Sequence, residues 1–141
     1  MRSRVAGIND PGEIDRALKT AKTIAVVGCS PEETRPSHAI ARYLLSAGFD
    51  VIPVNPGHAE ILGRPCYPDL ASIPGDVRVD IVNVFRRSEF IPELAAAALE
   101  RGAGFFWMQD GVVDEEAARR LAAAGIPVAM DRCILRDHSA L

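Results

Sequence analysis

Short apolar runs alternate along this chain with stretches of helical periodicity, and that alternation constrains its fold more than any other feature. Asp10-Pro11-Gly12-Glu13 opens a helix with Ile14, Ala17 and Leu18 on one face. Thr23 to Val27 is a β-rich run that stops at Gly28. Ser37 to Ala47 then carries Ile40, Tyr43, Leu44 and Ala47 at helical spacing, with Gly48 as its C-cap. Val51 to Val54 is a second strand, ended by Asn55-Pro56-Gly57. Residues 57–76 are rich in Pro and Gly and read as a long loop with a short extended piece around Arg64 to Tyr67. Val79 to Phe85 is a third strand, interrupted by Asp80 and Asn83. Ser88 is placed to cap a helix from Glu89 to Arg101. Gly104 to Met108 is a fourth strand, Asp114 caps a helix from Glu115 to Ala124, and Pro127 to Met130 is a fifth strand. From Asp131 the tail reads as short and polar.

Strands that alternate with helices in this way need crossover connections, and so imply a parallel sheet. The nearly continuous apolar strands agree, since parallel strands are buried on both faces. The expected fold is α/β: a doubly wound, mainly parallel sheet of about five strands with helices on both faces. At 141 residues the chain reads as a single domain over 1–141.

Composition removes several function classes. With 16 Lys+Arg against 19 Asp+Glu there is no basic footprint for nucleic acid, and 6% aromatic content offers no stacking platform. No apolar run is long enough to span a bilayer, and the start lacks the apolar core of a secretory signal. The three cysteines, Cys29, Cys66 and Cys133, are widely spaced and form no CxxC or Cys/His cluster. The expectation is a cytoplasmic protein with no metal site, no nucleic-acid partner and no membrane partner.

Ligands of open α/β sheets bind outside the carboxyl ends of the strands. Those ends deliver Gly28-Cys29-Ser30-Pro31, Asn55-Pro56-Gly57, Phe85-Arg86-Arg87-Ser88, Trp107 to Gly111 and Asp131-Arg132-Cys133. The first turn leads into a helix whose N-terminus suits a phosphate, although the GxGxxG fingerprint is absent. Arg35-Pro36-Ser37 sets a cation and a capping hydroxyl at that helix start; alternatively Arg35 pairs with Glu32 or Glu33 in a solvated loop. The second strand ends Pro53-Val54-Asn55-Pro56 without the carboxylate that a dinucleotide site places there, which disfavours NAD. Asn55 is either a ligand-facing corner or a simple turn. Arg86 and Arg87 precede a helix whose dipole disfavours cations, a conflict that a phosphate would resolve.

Together, Val26-Val27-Gly28-Cys29-Ser30, Val51-Ile52-Pro53-Val54-Asn55-Pro56, Val84-Phe85-Arg86-Arg87, Trp107-Met108-Gln109-Asp110-Gly111 and Asp131-Arg132-Cys133 resemble the small stand-alone CoA-binding domain proteins. These are relatives of the CoA-binding domain in the succinyl-CoA synthetase α-subunit. The resemblance runs from about Ile14 to Cys133 and implies a Rossmann-like fold that binds coenzyme A. It implies that Gly28, Cys29 and Ser30 approach the pyrophosphate, assisted by Arg35 and Ser37. Pro53, Val54, Asn55 and Pro56 would flank the nucleotide, and Phe85, Arg86 and Arg87 its adenine and phosphate side. Trp107 and Gln109 would face the pantetheine arm. Cys29 departs from the smaller Ala more usual in that family.

The leading expectation is therefore a binding module for CoA or acyl-CoA, monomeric or homodimeric, with no reaction and no catalytic residue assigned. Two alternatives stand beside it. One is an NAD(P)-dependent oxidoreductase. The other is a redox-responsive protein in which Cys29, a thiol near a helix N-terminus, forms a mixed disulfide with CoA. A catalytic use of Cys29 would take His38 as its base.

Overall fold

The computed structural model describes residues 6–141. Five parallel strands form its main sheet: β1 (Thr23–Val27), β2 (Asp50–Val54), β5 (Ile81–Val84), β6 (Phe106–Met108) and β7 (Val128–Ala129), in the order β2-β1-β5-β6-β7. Two short strands, β3 (Glu60–Ile61) and β4 (Arg64–Pro65), make a hairpin within the loop after β2. The helices are α1 (Pro11–Thr20), α2 (Pro36–Ser46), α3 (Ile91–Arg101), α4 (Glu115–Ala123) and α5 (Ile134–Ser139). Among the described residues, no helix is long and apolar enough to cross a membrane.

The period of two along each strand explains the layering. Ala25, Val27, Val82, Val84, Phe106 and Met108 join one core with Ala95 and Ala98 of α3 and Ala117, Ala118 and Leu121 of α4. The alternate residues Ile24, Val26, Ile81, Phe105 and Trp107 join a second core with Ile14 and Leu18 of α1, Ile40 and Leu44 of α2, and Ile134 of α5. The sheet is thus covered on both faces, as its apolar strands require. At its amino edge the Asp80 carboxylate accepts from the Lys22 and Thr23 N–H groups at 2.9 and 3.0 Å and pairs with Arg78.

Several expected boundaries shift for local reasons. The third strand narrows to Ile81–Val84, because the Asp80 side chain is engaged by the Lys22 and Thr23 N–H groups. Ser88 does not cap α3. It lies in a 3-10 turn over Ser88–Phe90, and its hydroxyl accepts from the Val113 N–H at 2.9 Å instead. The polar tail is not all tail, since α5 forms there and packs Ile134 into the second core. The long loop after β2 is held from α3. Arg101 donates to the carbonyls of Leu70, Ile73, Pro74 and Val77 at 2.6–3.1 Å.

Candidate functional site

Sheet order places the topological switch between β1 and β5: from β1 the chain steps out to β2, then returns past β1 to β5. At such a point the connections leave in opposite directions and open a crevice at the carboxyl edge. Two clefts lie there. The larger, about 580 Å³, is walled by Pro36 and Ile40 of α2, Phe85 to Arg87 after β5, Gln109 to Val112 after β6, and Cys133. The smaller, about 280 Å³, is walled by Val27, Val54, Pro56, Leu70 and, from α3, Glu93 and Leu94. Arg86 lines both. Its guanidinium lies over the Phe90 ring, 4.2 Å from the centroid, and has no carboxylate partner among the described residues.

Gly28, beside Phe85 and Arg86, is in the left-handed region, at φ 82°. A Cβ there would lie 2.7 Å from the Phe85 carbonyl oxygen, so the β1 turn and the β5 turn approach as closely as glycine permits. Backbone bonds hold both turns: the Gly28 N–H donates to the Val54 carbonyl and the Phe85 N–H to the Val27 carbonyl, each at 2.8 Å.

The neighbouring residues mostly support this turn rather than line a cleft. The Ser37 hydroxyl accepts from the Ser30 N–H at 3.0 Å, seven residues away, so it ties the loop down instead of capping α2. The Asn55 amide donates to the Cys29 carbonyl at 2.7 Å, joining the β2 and β1 ends. Pro53 is buried in the edge strand β2, where a missing N–H costs no ladder bond on the outer side. Arg35 takes the alternative partner, Glu32, at 3.6 Å on the exposed loop and reaches neither cleft wall. Arg87, also exposed, pairs loosely with Glu89 at 3.9 Å.

Two expectations are corrected. Trp107 does not face an arm-binding surface: it is fully buried, and its indole N–H donates to the Arg132 carbonyl at 2.9 Å. Cys29 is not poised as a nucleophile. Its thiol is fully buried, and burial, reinforced by the nearby Cys66, pushes its pKa up to about 12. A thiol in that environment stays protonated and inert, which removes both the mixed disulfide at Cys29 and a catalytic pairing with His38. His38 itself is buried in α2, and its Nδ1 has no protein partner among the described residues.

Residues to which the sequence assigns no site role complete the larger cleft, Asp110 and Cys133 of the strand-end clusters among them. Pro36, Ile40, Asp110, Val112 and Cys133 join Gln109 and the Phe85 to Arg87 turn. Asp110 is held there by Arg136 in a two-pronged pair at 2.9 and 3.0 Å, and that guanidinium keeps its carboxyl below the usual carboxylate range. The signal for Cys133 was present, since it stands in the strand-end cluster after β7. Its helix α5 was the unread part.

A family model described as a CoA binding domain matches residues 22–139. The chain belongs to the CoA-binding domain family. It is 45% identical over 127 residues to the protein YneT of Bacillus subtilis, covering 90% of this chain and 93% of that one. A solved structure of a protein from Pyrococcus horikoshii superposes with a TM-score of 0.89 at 33% identity, over all of this chain and 98% of the other. The ADP-forming acetate–CoA ligase I of Archaeoglobus fulgidus is 41% identical over 63 residues, which is 45% of this chain and 9% of that much longer enzyme. Membership of this family gives the NAD(P) reading no support, in keeping with the absent carboxylate after β2.

Proposed function

We propose that the protein binds coenzyme A or its acyl thioesters across the two clefts. The phosphates lie over the β1 turn at Gly28 to Ser30, near the start of α2, and meet Arg86. The nucleotide end occupies the smaller cleft beside Val54 and Pro56, and the pantetheine arm the larger one beside Phe85 and Gln109. The observation that carries this reading is Arg86, one cation shared by two clefts at the switch point. A ligand whose diphosphate joins a nucleotide to a long uncharged arm fits that arrangement. Family membership supports the ligand class.

Asp50, the only carboxylate of β2, stands at the opposite end of the strand and pairs with Arg64, so β2 itself offers no acid to a ribose hydroxyl. That arrangement tolerates a phosphorylated ribose. Titration calorimetry against CoA, dephospho-CoA, NAD and ATP tests the proposal. CoA is expected to bind most tightly, and tighter binding of NAD would overturn the reading.

A further inference from the structure

We propose that Cys133 is a thioester-exchange site, taking an acyl group from an acyl-CoA while Gln109 donates a hydrogen bond to the thioester carbonyl. The exchange rests on the CoA reading of the larger cleft and adds to it a chemistry and a ligand class. Of the three cysteines, Cys29 and Cys66 are buried, whereas Cys133 is half-buried and lines that cleft.

The peptide units on both sides of Cys133 are fixed by side chains of the β6 end. Trp107 Nε1 donates to the Arg132 carbonyl at 2.9 Å, and the Ile134 N–H donates to Gln109 Oε1 at 2.9 Å. Arg132 is pinned in addition by Asp137 at 2.8 and 3.0 Å. The end of β6 thus fixes the backbone on both sides of Cys133.

Gln109 is 4% exposed and lines the cleft. Because its Oε1 is committed to the Ile134 N–H, the orientation of the carboxamide is set. Its Nε2 takes no hydrogen-bond partner among the described residues and is the end left for a ligand. A fixed donor and a thiol that line one cleft, with the apolar walls of Pro36, Ile40, Phe85 and Val112, suit the charge that develops on a carbonyl oxygen under attack. A free ligand thiol offers no carbonyl at its sulfur; a thioester does.

In the exchange the Cys133 sulfur gives up its proton to water and attacks the thioester carbonyl carbon. A carbon–sulfur bond to Cys133 forms, the bond to the CoA sulfur breaks, and CoA leaves as a thiolate that takes up a proton. One thioester replaces another, so neither an oxidant nor an energy source is needed.

The test incubates the reduced full chain with acetyl-CoA and follows intact mass and peptide maps, with calorimetry of acetyl-CoA binding alongside. One acetyl group is expected on Cys133, removed by neutral hydroxylamine, absent from Cys133→Ser and present at the unaltered rate in Cys66→Ser. Gln109→Glu keeps the acceptor for the Ile134 N–H but loses the donor. With its helical circular-dichroism signal retained, its acylation at saturating acetyl-CoA should slow about 100-fold. The thioester of N-acetylcysteamine, which lacks the nucleotide, should acylate far more slowly. Binding of acetyl-CoA with no acetyl on Cys133, or an undiminished rate in Gln109→Glu, overturns the exchange and leaves the CoA reading standing. Absence of binding by both CoA and acetyl-CoA overturns the CoA reading itself.

Discussion

Gly28→Ala should be among the most damaging single-methyl additions to this protein. Alanine at φ 82° carries the left-handed cost of about 1–2 kcal/mol. The added Cβ would also stand 2.7 Å from the Phe85 carbonyl oxygen and 3.2 Å from Arg86 Cδ. Backbone cannot swing aside as a side chain does, and this peptide is tethered by the Phe85 N–H to the Val27 carbonyl at 2.8 Å. Relief therefore means shifting the β5 turn, an overpacking cost of about 1–3 kcal/mol. The sum is about 2–5 kcal/mol, against a typical loss of about 1 kcal/mol for a point substitution.

Gly63→Ala supplies the comparison. Its φ of 72° is also left-handed, but a Cβ there meets nothing within 4 Å, so only the first cost applies. Urea unfolding of both variants, with unchanged m-values, isolates the close approach of the two turns. The shift of Arg86 should weaken CoA binding in Gly28→Ala as well. A Gly28→Ala loss no larger than that of Gly63→Ala would refute the claim that the β1 and β5 turns meet here as tightly as glycine allows.

Other expectations follow from the same geometry. Arg86→Ala should weaken CoA by about 1–3 kcal/mol in calorimetry, the range for hydrogen bonds to charged groups; Arg35→Ala, whose guanidinium is drawn to Glu32 on the exposed loop, should weaken it less. An equal loss in the two variants would argue against Arg86 as the shared cation. Cys29 has a folded pKa raised from 9.0 to about 12, so between those values the unfolded chain binds fewer protons than the native one. Its contribution to stability is therefore intact below pH 9 and is lost as pH rises towards 12, and chemical unfolding over that range should show the fall in wild type but less of it in Cys29→Ala. Asn83 is fully buried in β5 with neither end of its carboxamide hydrogen-bonded to described residues. Replacing a buried unpaired polar group by an apolar one of similar shape is neutral or stabilising, so Asn83→Leu should raise the urea midpoint or leave it unchanged. A marked loss would show that the carboxamide is satisfied in solution.

The strands and the larger helices were legible because each is long enough to show its period: Ile24 and Val26 against Ala25 and Val27, or Ala117, Ala118 and Leu121 on one face of α4. Asp114 was legible as a cap, and Asp10 as part of a helix start, because each bonds three residues onward. What escaped is tertiary. Ser37 and Ser88 have capping chemistry at capping positions, yet their partners lie seven and 25 residues away, where no local pattern reaches. Helix α5, six residues long, shows too little of a 3.6-residue period, and its N-cap residue, Cys133, makes no side-chain cap bond. For the site, the strand-end rule found the right edge and the Phe85 to Arg87 turn. It could not tell Gln109, which lines the cleft, from Trp107 two residues earlier, because alternate residues here share a face and only depth separates them.

The central claim is that the ligand lies at the carboxyl edge of the sheet, across the switch between β1 and β5. Amide chemical-shift mapping by two-dimensional NMR during a CoA titration tests it most directly. Saturable shifts are expected at Gly28 to Ser30, Arg86 to Ser88 and Gln109 to Val112. Shifts gathered instead at the amino edge, around Thr20 to Lys22, Asp80 and Gly104, would contradict it.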